Sequence, residues 1–312
     1  MRAIVANPQA PACLEIAEVD APAADSTEAV VRVSAFSLNR GEIRRAAAAP
    51  AGMQIGWDIA GVVEQAARDG SGPAAGQRVV GFSRRMQGWA ELVAIPTRDL
   101  AVIPDAVSDV DASTLPVAGL TALYALERCE RLLGSRVFVT GATGGVGYFA
   151  CQLGRLMGAR VVAHVRRAEQ VEAVRATGAD EVVVSPDGSG LADVAKVRAV
   201  IDGVGGEMLS TLLGLLDESG RAVLYGVSAG AETMLPVRDL MFTGDGRIEG
   251  FYLYRETEFE TAAKGLDRLL ALLADGRLTT LVSETGDWEA IGETAQKLID
   301  RGFMGKAVLR IG

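Results

Sequence analysis

The residues whose spacing is most plainly chemical are the glycines of Thr140-Gly-Ala-Thr-Gly-Gly-Val-Gly147. Lacking side chains, they let backbone N–H groups approach a phosphate, and the positive end of a following helix completes such a site. The flanks fit that use. Val137, Val139 and Thr140 form a β-branched run that reads as a buried parallel strand. Val146, Ala150, Leu153 and Met157 recur at the spacing of one helix face, and Arg160-Val-Val-Ala-His-Val165 follows as a second strand. Strand, glycine turn, helix and strand together predict a dinucleotide site at Gly141, Ala142, Thr143, Gly144, Gly145 and Val146.

The tip of that second strand discriminates between cofactors. A site built for NAD places Asp or Glu there to accept from the ribose hydroxyls. Here Val165 is followed by Arg166 and Arg167, two guanidiniums suited to a 2′-phosphate. The expectation is NADPH rather than NADH.

Elsewhere, chemistry-bearing residues are few. Asp58 lies in a glycine-bounded segment, Gly56-Trp-Asp-Ile-Ala-Gly61, and is read either as a proton-relay carboxylate or as an anchor for backbone amides of a bend. Asn39 offers a side chain that both donates and accepts. A catalytic zinc needs three protein ligands, yet the first part of the chain has no histidine and only Cys13 as a thiol. Cys13, Cys129 and Cys151 have no metal or disulfide spacing, which fits a reducing, cytoplasmic setting. His164, the only histidine, reads as a packed or cofactor-adjacent ring, so no metal is expected.

The elements that must position these residues divide the chain. Its 312 residues suffice for two domains, and 49% hydrophobic with 23% charged residues is ordinary globular composition. A formal charge of −9 without a basic stripe excludes a nucleic-acid surface, and no apolar run would span a bilayer. Up to about Pro104 short strands alternate with turns, predicting a small irregular β-barrel. From there α/β alternation predicts a doubly wound parallel sheet, ending in a strand over 247–254. Helices are expected over 168–177, 256–274 and 287–301, and a last strand, Lys306 to Ile311, is expected to rejoin the first domain.

This order of parts resembles the medium-chain dehydrogenase/reductase superfamily, in its zinc-free quinone oxidoreductase branch. The resemblance is carried by Ser37-Leu-Asn39, Gly56-Trp-Asp58-Ile-Ala-Gly61, Gly88-Trp-Ala-Glu91, Leu115-Pro-Val-Ala-Gly119-Leu-Thr-Ala, the glycine motif and Gly305-Lys306-Ala-Val. It implies an α/β architecture: a GroES-like catalytic domain from both chain ends (1–118 and 256–312) and a Rossmann domain between them (119–255). It also implies roles. Asn39 sits where the family places an amide near the nicotinamide, and Lys306 reaches a cofactor phosphate or a substrate oxygen. Thr121, Gly226, Val227 and Ser228 face the cofactor, and backbone groups at Phe251 and Leu253 hold the carboxamide. Ser185 takes the place of a tyrosine that relatives stack near the adenosine phosphate, and Arg44 or Arg45 replaces another downstream of Asn39. Zinc-bearing relatives have a histidine where this chain has Trp57 and Asp58. The implied activity is metal-free hydride delivery from NADPH to a small-molecule electrophile, a quinone or other conjugated carbonyl, with Asn39, Asp58 and Lys306 as catalytic candidates. An enoyl thioester reductase and a low-turnover NADPH-binding protein are the alternatives. A homodimer is the family's habit.

Overall fold

The computed structural model describes residues Met1–Gly312. They divide into two compact units: Met1–Leu120 with Tyr254–Gly312, and Thr121–Leu253.

The first unit opens with a hairpin of β1 (Arg2–Ala6) and β2 (Leu14–Glu18). Next come β3 (Glu28–Ser37), helix α1 (Arg40–Ala48), β4 (Asp58–Gln65), β5 (Arg78–Phe82), β6 (Leu92–Pro96) and β7 (Leu100–Val102). A short helix α2 (Asp109–Ala112), capped by the Ser108 hydroxyl, and a π-helical turn Leu115–Gly119 lead into α3 (Leu120–Glu127). In the second unit β8 (Arg136–Val139), α4 (Gly145–Leu156), β9 (Arg160–Val165), α5 (Val171–Arg175), β10 (Glu181–Val184) and β11 (Val197–Asp202) follow. The unit closes with α6 (Gly206–Gly214), β12 (Leu216–Leu224), α7 (Val237–Met241) and β13 (Arg247–Gly250). The chain then returns to the first unit through α8 (Leu253–Phe259), α9 (Ala262–Ala274), β14 (Val282–Asp287), α10 (Ile291–Ile299) and β15 (Lys306–Arg310).

The first unit's main sheet runs β14-β15-β3-β4-β5-β7, with β6 also paired to β3. The expected return strand is β15. It lies antiparallel to β3, with Val308 opposite Ser37, so residues from the two chain ends share one register. A core of Phe36, Trp89, Trp288, Ile4 and Leu309 packs beneath, with Phe36 and Trp89 stacked 5.1 Å apart. The second unit is a parallel sheet of order β10-β9-β8-β11-β12-β13. Numbered within the unit this is 3-2-1-4-5-6, the doubly wound dinucleotide order, whose switch point lies between β8 and β11. Phe138, Leu209, Leu212 and Leu213 form the core under one face.

Several expectations need correction. The strand expected over 247–254 ends at Gly250, and Leu253 opens α8. The helix expected over 256–274 is two helices, because Thr261 stops one and caps the next. The segment expected as helix 168–177 starts with a 3-10 turn and becomes helical only over Val171–Arg175. The helix expected over 287–301 likewise starts with a 3-10 turn at Trp288–Ala290, and α10 covers Ile291–Ile299. β14 is unexpected: its Val-Ser-Glu-Thr-Gly-Asp sequence is polar and half exposed, and it is a strand because β15 pairs with it.

Candidate active site

A buried polar cluster in the first unit is built from four segments. Asp58, fully buried, is its hub at the first residue of β4. Its Oδ2 accepts from the Ser37 hydroxyl (2.6 Å), the Asn39 amide (2.7 Å) and the Lys306 ammonium (3.3 Å), and its Oδ1 from the Val117 N–H (2.9 Å). Asn39 Oδ1 in turn accepts from Lys306 Nζ at 2.5 Å, so the amide bridges anion and cation. Lys306 is held there by Gly305, whose φ is +69°. A Cβ on Gly305 would fall 1.9 Å from the Leu281 carbonyl, so no other residue fits that bend.

Asn39 is also the N-cap of α1, but its side chain is spent on Asp58 and Lys306. Glu42, three residues on, supplies the reciprocal half of a capping box by accepting from the Asn39 N–H at 2.6 Å. Its other oxygen accepts from the Trp57 N–H at 2.5 Å. Glu42 is fully buried. Burial, reinforced by the neighbouring Asp58, pushes its carboxyl up to about 8, although Lys306 and both backbone donors pull it down. The cluster therefore sets one buried cation against two buried carboxylates, one of which holds a proton near neutrality.

In the second unit the glycine loop follows β8 at the switch point. Gly141 has φ +59°, and a Cβ on Gly147 would stand 2.4 Å from the Gly141 carbonyl, so α4 abuts the strand end only because Gly147 has none. Gly144 caps the helix without a side-chain bond, leaving its first-turn N–H groups to a ligand rather than to a cap. The fully buried His164 fixes this loop. Its Nδ1 accepts from the Gly141 N–H (3.2 Å) and its Nε2 donates to the Ser185 carbonyl (2.7 Å), which defines a neutral ring. Burial lowers its pKa below the ordinary value. Thr140 and Asp202 brace the neighbouring loop: the Thr140 hydroxyl donates to Asp202, whose carboxylate accepts from the Val204 and Gly205 N–H groups.

Of the expected cofactor residues, Arg166, Arg167, Ser185 and Gly226 to Ser228 follow the C-terminal ends of parallel strands, whereas Asn39 and Lys306 belong to the first unit. Arg166 is half-buried and Arg167 exposed after β9, their backbone N–H groups held by Gln170. Arg167 pairs with the exposed Glu169 at 2.9 Å. Gly226, Val227 and Ser228 follow β12, and the Ser228 N–H donates to the Gly203 carbonyl. Thr121 lies buried on α3. Phe251 donates its N–H to Leu224 and has Arg128 over its ring at 5.6 Å. Leu253 is at the start of a helix, not on an edge strand. Two placements depart from expectation. Ser185 is fully buried, its hydroxyl accepting from Gly188 and its backbone engaged by Val165 and His164, so it is turned inward rather than presented at the surface. Lys306 is buried at 4% exposure in its ion pair, not extended toward a phosphate. Glu42, Ser37, His164 and Asp202 were not picked out as site residues, although Asn39-x-x-Glu42 has capping-box spacing.

A doubly wound unit with a glycine cradle at its switch point, attached to a β-sheet unit with a buried ion-paired cluster, defines a dehydrogenase or reductase of the nicotinamide-binding kind. Comparison with known proteins agrees. Residues 25–105 match the alcohol dehydrogenase GroES-like domain, and residues 145–268 match the family described as zinc-binding dehydrogenase. Quinone oxidoreductase-like protein 2 of Bos taurus is 29% identical over 266 residues, spanning 82% of this chain and 76% of that protein. The chloroplast envelope quinone oxidoreductase homolog of Arabidopsis thaliana is 28% identical, over 95% and 93% of the two chains. A mycobacterial protein solved in complex with NADPH superposes with a TM-score of 0.87 at 23% identity, over 99% of this chain and 100% of its own. The chain belongs to the medium-chain dehydrogenase/reductase superfamily, in its quinone oxidoreductase-like branch.

Zinc, which one of those family names implies, does not fit the residues present. No three His, Cys, Asp or Glu side chains converge. Trp57, in the glycine-bounded segment, has an indole N–H that only donates and cannot ligate a metal. Asp58 beside it is filled by four donors, one of them an ammonium. A nicotinamide dinucleotide does fit, because Gly147 lets α4 abut the strand end and Gly144 leaves the first turn of that helix without a side-chain cap, so its N–H groups are open to a phosphate.

Proposed function

We propose that this zinc-independent oxidoreductase reduces a quinone or other conjugated carbonyl with NADPH. The observation that carries the reading is the closed Asn39–Asp58–Lys306 cluster, whose acceptors are taken up by donors, in a chain where no three His, Cys, Asp or Glu converge. Without a Lewis acid the acceptor must tolerate negative charge on oxygen by itself, as a quinone does. When bound, the reduced nicotinamide supplies the hydride, and water supplies the proton.

The chain's own residues prepare the site. The cradle between Gly141 and Gly147, tied down by His164, receives the pyrophosphate, and Arg166 and Arg167 bind a 2′-phosphate. Asn39, locked between Asp58 and Lys306, keeps the second hydrogen of its Nδ2 for the reactants, so little reorganisation is left for the reaction itself. The NADPH complex of the mycobacterial neighbour supports the choice of cofactor. Three free cysteines suit a reducing, cytoplasmic setting, and no helix is long and apolar enough to cross a membrane. A second copy pairs along β13, which ends its sheet, with exposed Met241 and Phe242 nearby.

The test is a panel of quinones, enones, enals and enoyl thioesters, run with NADPH and with NADH in the presence of a chelator. Chelator-resistant oxidation of NADPH by quinones is expected. Equal dissociation constants for the two cofactors would remove the 2′-phosphate role, and silence across the panel would remove the activity.

A further inference from the structure

Trp57, next to the buried Asp58, is held at both its backbone and its ring. Its backbone N–H is bound to Glu42 (2.5 Å), and its indole N–H donates to the Tyr254 hydroxyl at 2.7 Å. That hydroxyl donates to the Arg84 carbonyl (2.9 Å), while the Arg84 guanidinium lies 5.7 Å over the Tyr254 ring. Helix α1 is flush against the indole, since a Cβ on Gly41 would come within 2.9 Å of it. The ring is thus fixed from both ends. It nevertheless stays half-buried, whereas Trp89 and Trp288 are 0% and 1% exposed. One residue along the chain is Asp58, whose four donors leave no vacant polar group for a ligand to satisfy. What this corner offers a substrate is a rigid, partly uncovered indole.

We propose that Trp57 is the platform on which a flat cyclic acceptor stacks, and that it selects ring quinones over acyclic enals and enoyl thioesters. This rests on the reductase reading above and narrows its substrate class. Aromatic stacking favours a flat conjugated ring over a chain of similar polarity, and a platform held by two hydrogen bonds loses little freedom when it is covered.

The test combines binding and kinetics. Phenanthrenequinone is titrated into the protein with oxidised NADP present, so that nothing turns over, while tryptophan emission is followed. Saturable quenching of the half-exposed Trp57, one of three tryptophans, is expected. Trp57→Leu should abolish it and lower kcat/KM for phenanthrenequinone relative to crotonaldehyde by roughly fivefold to tenfold. Tyr254→Phe, which keeps the indole but frees its N–H, should fall between. Quenching that survives in Trp57→Leu, or an unchanged ratio, overturns the inference while leaving the reductase reading intact. Should Trp57→Leu fail to fold, the wild type decides, because an absence of saturable quenching overturns the inference as well. Failure of every quinone to oxidise NADPH overturns the reductase reading and this inference with it.

Discussion

Asp58 and Lys306 face each other at 3.3 Å with almost no water contact, and such a pair is far more costly to break than to build around. Lys306→Met leaves a buried carboxylate with neutral donors only, and urea unfolding should register a loss of about 3–5 kcal/mol. The double variant Lys306→Met/Asp58→Asn should recover part of it. Glu42 makes the same corner sensitive to pH. Its carboxyl is raised from 4.5 to about 8 in the folded chain, so between those values the folded state holds a proton that the unfolded state has released. Stability is therefore highest at the acid end of that window and falls as pH rises, by at most about 1.4 kcal/mol per unit. Urea unfolding at pH 6 and pH 8 should show the decline, and Glu42→Gln should flatten it. The thiols differ as clearly. Burial pushes Cys129 and Cys151 up to about 12, and Cys13 is only half-buried. A maleimide probe under native conditions should label Cys13 alone.

At the scale of elements, the glycine turn between β8 and α4 was legible because strand, turn and helix each carry a local signature. The same holds for the return of β15, a short apolar run from Ala307 to Leu309 between charged residues. What escaped detection depends on partners distant in sequence. β14 is polar and becomes a strand only beside β15, while the last strand of the parallel sheet stops at Gly250 because Leu253 is drawn into a helix. The candidate residues Asn39, Asp58 and Lys306 were named singly. Their mutual bonding lies 19 to 267 residues apart and leaves no periodic trace. The sequence leaves His164 as a packed or cofactor-adjacent ring; that it ties Gly141 to Ser185 is visible only in three dimensions. Two variants test this element. Gly147→Ala drives a methyl group toward the Gly141 carbonyl and should weaken NADPH binding at least tenfold by calorimetry with the fold retained. His164→Ala should weaken it less, because the loop loses its brace but keeps its shape.

At the scale of the molecule, the open edge of β13 and the cofactor cradle make separate predictions. Ile248→Lys places a charge on that edge strand, where Ile248 is 38% exposed, and tests the proposed pairing of two copies: sedimentation of the wild type as a dimer and of the variant as a monomer is expected, with NADPH binding left in place. Ligand linkage should raise the melting temperature with NADPH concentration, corresponding to about 2.7 kcal/mol at a hundredfold excess over Kd. NADH at equal concentration should raise it less.

The pairing of β15 with β3 also sets an order of events during synthesis. Asn39 and Asp58 leave the ribosome long before Lys306, which arrives 267 residues after Asn39. Until then the carboxylate at the heart of the first unit has no counter-charge, and the strand that would bring one has not been made. The second unit, continuous from Thr121 to Leu253, can fold in the interval. On the proposed reading, a nascent chain thus completes the unit that carries its glycine turn before it completes its buried ion pair.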